Sequence, residues 1–299
     1  MFPLSGGGWV YVSNSEASAG GVGALRFDAR GVLVDAYAIL TGTSTNCAGG
    51  PTPWGMWLSC EEHARGRVFE CDPTGAAPGE ARPALGVFRH EAAIVDPVQG
   101  HVYLTEDEPD GRFYRFTPAG ARAAGRLDLS AGVLEVAQVV GVAVTWHAVP
   151  DPEVTGALAT REQVPESTAF NGGEGLWYYD GRVYFSTKGD DRVWEYDVVA
   201  RAIRVHYDPL TAADPFLRGV DNLTGSAGGD ILVAEDGDDL QLVAILPDGS
   251  LRAVLQVVDH PGSEVTGPAF DPSGTRLYFS SQRAPGGAVT YEVTGPFHV

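Results

Sequence analysis

The sequence predicts an all-β fold, a six-bladed β-propeller with four-stranded antiparallel blades. Three observations point to it. A hairpin pattern recurs: a polar or acidic residue, a short apolar run, a turn at Gly, a second apolar run and another polar cluster. It occupies residues 46–62, 90–107, 173–190, 220–237 and 263–282, with a partial copy at 7–16. The polar ends of the second strands fall at Glu16, Glu61, Glu106, Lys188, Glu235 and Gln282, at intervals of 45, 45, 82, 47 and 47 residues. A period in the mid-forties with four short strands per unit is the signature of propeller blades. Finally, each marker is followed by an alternating stretch that reads as a third strand. These are GALRFDARG (23–31), GRVFECDPTG (66–75), GRFYRFTPAG (111–120), DRVWEYDVVA (191–200), LQLVAILPDG (240–249) and GAVTYEVTG (287–295).

Taken in order, residues 1–6 are barely long enough for an innermost strand, and the last unit has little chain left for a fourth. An open ring would leave unpaired strand edges, so closure by pairing of the two termini is expected. The 82-residue interval holds one blade plus an insertion within 118–170, a region rich in Ala, Val and Pro with no copy of the hairpin. Residues 151–168 predict a short helix on the rim. The 39 glycines and 20 prolines suit many short strands joined by tight turns, and residues 1–299 read as a single propeller domain.

The balance of 39 acids against 20 bases gives a net charge of −19. That argues against nucleic acid and anionic membranes as partners, and it suits multivalent cations. The most apolar stretch, 131–150, is interrupted by Glu135, Gln138 and His147, and its valines favour strands over a membrane span. The opening MFPLSGGG has no basic region and no apolar core of an export signal. The expectation is a cytoplasmic protein, or one whose leader lies outside this sequence. Three cysteines, Cys47, Cys60 and Cys71, are no disulfide framework. Pairing of Cys47 with Cys71 stays open. Cys60 reads either as an inert buried thiol or, with two carboxylates directly after it, as a metal ligand.

In a blade the start of the first strand and the end of the second lie on the same face. Glu91, Glu174, Asp221 and Glu264 occupy first-strand starts. Glu16, Cys60, Glu61, Glu62, Glu106, Asp107, Lys188, Glu235 and Asp236 occupy second-strand ends. All are expected at one mouth of the channel. So many carboxylates together would cost several kcal/mol unless cations neutralise them. Hard oxygen ligands favour calcium, and a thiolate among them favours a softer ion such as iron. Lys188 and Arg89 are the cations placed to hold a phosphate oxygen, or else ordinary surface charges. No HExxH, GxSxG or Walker pattern occurs, and no Ser/His/Asp triad can be assembled.

At this point the chain resembles the PhoX-type alkaline phosphatases. The resemblance is carried by YVSNSE (11–16), AGGPTPWGMWLSCEE (48–62), FRHEAAIVDPVQGHVYLTED (88–107), FNGGEG (170–175), VYFSTKGD (183–190), VDNLTGSAGGDILVAEDG (220–237) and SEVTGPAFDPSGTRLYFSSQ (263–282). It implies a propeller holding an iron–calcium cluster that hydrolyses phosphate monoesters. It also implies Cys60, Glu174 and Glu264 as iron ligands, with Glu16, Glu61, Glu91 and Asp221 completing the shell, and a secreted or periplasmic location. Glu235 joins the expected metal set from its place in the repeat. Family members often carry Arg shortly before the glutamate of the FNGGEG segment, where this chain has Gly172 and Gly173. The expected partner is a small phosphoester, and the expected state is a monomer. A calcium-dependent lactonase or esterase, and a non-catalytic metal-binding propeller, are the competing readings.

Overall fold

The structure, a computed structural model, describes residues 1–120, 125–237, 239–284 and 286–297. It is all-β, with short antiparallel sheets arranged like the blades of a propeller. The first sheet holds β1 (Phe2–Pro3), β2 (Trp9–Ser15), β3 (Gly20–Phe27) and β4 (Leu33–Thr43). The second holds β5 (Asn46–Pro51), β6 (Trp57–Glu61), β7 (Val68–Cys71) and β8 (Glu80–Ala81).

Next come β9 (His90–Asp96), β10 (His101–Glu106), β11 (Phe113–Pro118), β12 (Gly132–Val140) and β13 (Ala143–Ala148). They share a nine-stranded sheet with β14 (Gly173–Tyr179), β15 (Arg182–Thr187), β16 (Arg192–Asp197) and β17 (Ala202–Tyr207). The two runs meet at a single residue pair, Ala143 with Ala202, between β13 and β17. The remaining sheets are β18 (Val220–Gly225), β19 (Ile231–Glu235), β20 (Gln241–Ile245) and β21 (Leu251–Gln256), then β22 (Val265–Phe270), β23 (Arg276–Ser281) and β24 (Val289–Thr294).

The predicted hairpins and third strands coincide with these elements, but three expectations change, the third being closure of the ring. The 118–170 segment carries a hairpin after all, β12–β13, which continues the sheet outward from β11; its residues 121–124 lie outside the described ones. Within 151–168 there is only a three-residue 3-10 turn, Thr160–Glu162, in place of a short helix. A Pro at either end of that stretch, Pro152 and Pro165, limits longer helix.

The termini do not pair with each other among the described residues. β1 pairs with β2 inside its own sheet, and β24 pairs only with β23. Side chains close the gap instead. Trp9, Tyr11 and Phe27 pack on Tyr278, the Tyr11 hydroxyl donates to the Gly267 carbonyl at 3.0 Å, and Gln282 donates to Glu16. Aromatic packing of this kind needs no shared strand, so an early innermost strand and a three-stranded last sheet suffice.

Buried apolar side chains lie between consecutive sheets. Leu58, Val68, Ala93 and Leu104 interlock β5–β8 with β9–β12. Phe113, Phe185, Tyr103 and Tyr196 do the same between the halves of the nine-stranded sheet. Glycine permits the closest approaches of inner strands: a Cβ at Gly50 would stand 1.9 Å from the Ala93 carbonyl oxygen, and one at Gly175 2.3 Å from the Leu223 nitrogen. No helix among the described residues is long and apolar enough to cross a membrane.

Candidate metal centre

The inner hairpins share an irregularity that builds the site. In β5–β6 the register runs from Asn46 opposite Glu61 to Gly49 opposite Ser59, so Cys47 and Ala48 face Cys60 alone. In β9–β10, Glu91 and Ala92 face Thr105. In β14–β15, Glu174 and Gly175 face Ser186, and in β18–β19, Asp221 and Asn222 face Ala234. Each is a β-bulge, which bends the strand and re-aims a side chain. The first bulged residues are Cys47, Glu91, Glu174 and Asp221, and all four come to the mouth of the channel.

Three groups of donor atoms result, the atoms of each lying within 4.8 Å of one another: Glu16 with Cys47 and Glu62; Glu91 with Glu174 and Asp221; and Asp221 with Asp236 and Glu264. Asp221 links the last two. Neighbouring strands hold these residues by their backbones. Thr105 donates to the Glu174 carbonyl and Ser186 to the Asp221 carbonyl. Asn14 ties the first and second sheets by donating to the Cys47 and Ala48 carbonyls at 2.9 and 2.7 Å.

Burial makes the charges costly. Glu91 and Glu174 are each 1 % exposed, and burial, with Asp221 and other carboxylates nearby, pushes both well above the ordinary carboxylate range. Burial likewise raises Asp221 to about 6, and Glu62 and Glu264 to about 7. Burial and then Glu91 and Glu62 push the Cys47 thiol up. The Glu91 Oε1 atom has no hydrogen-bond partner. A buried carboxylate oxygen left without a donor beside two more carboxylates is an arrangement that a cation resolves. The donor chemistry fits the expected ions. Glu16, Cys47 and Glu62 supply a thiol with oxygens, suited to iron, and the all-carboxylate groups suit calcium.

Of the expected ligands, the structure brings Glu16, Glu91, Glu174, Asp221 and Glu264 into these groups. Cys60, Glu61 and Glu235 lie outside them. Cys60 is fully buried among Leu58, Val68, Leu85 and Phe88 in the apolar layer, because it faces the bulge from across the hairpin. Glu61 accepts from the Ser44 and Arg67 amides at 3.0 and 3.2 Å. Glu235 accepts from the Arg218 and Gln241 amides at 3.1 and 3.0 Å. Glu106 does the same for Arg112.

At each of these strand ends the last acid is therefore taken up by loop amides, those leading into the third strand among them. The next residue, Glu62, Asp107 or Asp236, turns toward the mouth. Cys47, Glu62 and Asp236 belong to these groups; sequence reasoning puts Glu62 and Asp236 at the mouth without naming them as ligands, and it does not consider Cys47 there. The signal was one residue beyond each marker, and in Cys47 the thiol of a first-strand start. Cys47, Cys60 and Cys71 are all free thiols.

Both expected basic residues are at the mouth. The Arg89 Nη2 atom lies 2.7 Å from Glu62 Oε1. The Lys188 Nζ atom lies 2.6 Å from Glu174 Oε1 and 3.6 Å from Asp107 Oδ2. Burial works against the Lys188 charge, but the Glu174 and Asp107 carboxylates outweigh it and hold the ammonium above its usual range. A third base, Arg283, contacts Glu264 Oε2 at 3.0 Å. Behind the Glu16–Cys47 side of the mouth a cavity of about 800 Å³ runs between the inner strands, lined by Tyr11, Trp57, Leu176, Trp177 and Leu223 among others.

Fold and site together define a propeller-like protein whose mouth carries carboxylate groups able to hold metal ions. The sequence model of the family described as alkaline phosphatase PhoX matches residues 19–68 and 63–204, more than half of the chain, and the chain belongs to that family. No curated protein matches it in sequence. Among solved structures it is similar to TolB from Acinetobacter baumannii, at 14 % identity and a TM-score of 0.56, covering 98 % of this chain and 62 % of that one. It is also similar to XC5397, a gluconolactonase from Xanthomonas campestris, at 14 % identity and 0.53, covering 97 % and 90 %. The periplasmic gluconolactonase PpgL of Pseudomonas aeruginosa gives 16 % identity and 0.51, covering 96 % and 100 %. At such identities these likenesses speak to the fold.

Proposed function

We propose that the protein is a metal-dependent phosphatase that hydrolyses phosphate monoesters at an iron–calcium site in the mouth of a propeller channel. We read the nine-stranded sheet as two blades joined by the Ala143–Ala202 pair, which makes six blades in one domain. The observation that carries the reading is the convergence of buried Glu91, Glu174 and Asp221, with an unpartnered carboxylate oxygen, beside the ammonium of Lys188. Family membership supports the reaction class.

Glu16, Cys47 and Glu62 would hold iron, and Glu91, Glu174, Asp221, Asp236 and Glu264 would hold the remaining ions. Bound metals would supply Lewis-acid polarisation of the phosphoryl group. The chain's own basic residues do the rest. Lys188 and Arg89 both lie near Asp107 Oδ2, at 3.6 and 3.9 Å, and can bind the non-bridging phosphate oxygens. Lys188 is an ammonium beside Glu174 and Asp107, and it acts as a positive charge on the developing anion. With Gly172 and Gly173 where relatives often carry Arg, that charge falls to Lys188.

On this reading the substrate is a small phosphoester and the protein acts as a monomer, and the family likeness supports a secreted or periplasmic location. The competing calcium-dependent lactonase reading accounts for the group of Asp221, Asp236 and Glu264 but has no use for the Cys47 thiol beside Glu16 and Glu62.

Metal analysis of the purified protein and hydrolysis of p-nitrophenyl phosphate test the reading. Iron with calcium, and activity lost in Glu91→Gln and Glu174→Gln, are expected. Calcium alone with turnover of a lactone, or phosphatase activity that survives both substitutions, would sink it.

A further inference from the structure

Each of the three donor groups contains one carboxylate that is paired with a base. Glu62 carries Arg89 at 2.7 Å, Glu174 carries Lys188 at 2.6 Å and Glu264 carries Arg283 at 3.0 Å. In every pair the acid is buried, at 7, 2 and 8 % side-chain exposure, and the base is not, at 40, 42 and 51 %. The bases come in from the solvent side and lie over acids that belong to the interior.

Two facts make this more than ordinary pairing. The distribution is one base to one group, with no group left bare. Each group nevertheless stays short of full compensation, since Cys47, Glu16, Glu91, Asp221 and Asp236 share the mouth and Glu91 Oε1 has no donor at all.

We propose that Arg89, Lys188 and Arg283 are exchangeable counter-ions: a metal cation takes the carboxylate from each, and the released base turns to an anionic substrate at the rim. The proposal rests on the phosphatase reading and deepens it, by coupling metal loading to substrate binding. In the metal-free protein the bases neutralise buried acids and have little charge to offer an anion. In the loaded protein the same three positive charges face the rim. Long Lys and Arg side chains that are half-exposed can make this turn without moving the backbone. The coupling is reciprocal: cations raise affinity for the anion, and the anion raises affinity for cations by the same factor.

Arg283 gives the cleanest test. It lies over the all-oxygen group of Asp221, Asp236 and Glu264, which calcium suits, and its side chain is half-exposed. The probes are calcium alone and inorganic phosphate, titrated calorimetrically on the full chain. In wild type, phosphate binding should strengthen on calcium loading. In Arg283→Gln, calcium should bind roughly two- to five-fold more tightly, the range expected for removing a competing half-exposed ion pair. Phosphate should bind the calcium-loaded variant more weakly than the loaded wild type, and Arg283→Lys should restore much of that loss.

A merely structural arginine would give the opposite sign for calcium, weaker binding with a lower melting temperature. That result, or phosphate binding that is unchanged in Arg283→Gln, overturns the exchange. So does wild-type phosphate affinity that ignores calcium. None of these readouts needs turnover. A protein that shows the exchange but hydrolyses no phosphoester would refute the phosphatase reading alone.

Discussion

Replacing Asp221 by Asn should stabilise the metal-free protein while removing its response to metal. Asp221 is 7 % exposed, and it is the residue common to the group with Glu91 and Glu174 and the group with Asp236 and Glu264. Burial raises its carboxyl from 3.8 to about 6, against the pull of Lys188. A shift of about two units corresponds to about 3 kcal/mol of native-state penalty once the group is ionised in both states.

The sign follows from the direction of the shift. Below the unfolded value both states are protonated and nothing is lost. Between the unfolded value and about 6 the unfolded chain ionises first, so stability falls as pH rises, and above that the full penalty stands. Asn keeps the shape and an acceptor for the Asn222 amide, which now donates to Asp221 Oδ1 at 3.2 Å, but it gives up the attraction to Lys188. The net gain should be about 1–3 kcal/mol at pH 8, or roughly 2–6 °C in melting temperature for a domain of this size. At pH 3.5 the gain should vanish.

Thermal melts in chelator at the two pH values, with and without calcium, are the assay. Wild type should rise in melting temperature on adding calcium, and the variant should rise much less, because two groups have lost a donor. A chelated Asp221→Asn protein that melts below wild type at pH 8 would show that the cluster is not under electrostatic strain, and the metal argument would fail with it.

Two other outcomes are expected. Cys47→Ser should strip iron from the purified protein, whereas Cys60→Ala should retain it and lose only about 1–2 kcal/mol of stability from the cavity left among Leu58, Val68 and Phe88; iron analysis that reverses the two would reassign the thiol ligand to the core. The metal-free wild type should lose stability steadily from pH 4 to about pH 7, since Glu62 and Glu264 are both pushed up to about 7 and their native forms resist ionising as the unfolded chain ionises; a flat or rising denaturation profile across that window would contradict it.

Much of the fold was legible in the chain. Hairpins, third strands and their spacing follow from alternating apolar residues and glycine turns, which are local. So does the gathering of Glu91, Glu174, Asp221 and Glu264 at one mouth, because strand direction alone puts first-strand starts there. The extra hairpin β12–β13 was not legible, since Val-rich alternation without a Gly-bounded copy of the repeat resembled an insertion. Closure of the ring was misread for a different reason. The rule that edges must pair concerns backbones, whereas Trp9, Tyr11 and Tyr278 close the gap with side chains.

The amino-acid order by itself determined an all-β chain of recurring hairpins with surplus acid at equivalent positions. It also fixed the family motifs, including a thiol near two adjacent glutamates. Only the tertiary structure decided which of each neighbouring pair looks inward. A bulge inserts one residue into one strand, and every side chain beyond it changes face relative to the partner. That single-residue slip puts Cys47 at the mouth and leaves Cys60 in the apolar layer. Just past the strand ends, the hydrogen bonds that Glu61 and Glu235 accept from loop amides leave Glu62 and Asp236 to the donor groups at the mouth. Alternation along one strand cannot reveal either effect, because both depend on what the adjoining strand and loop supply.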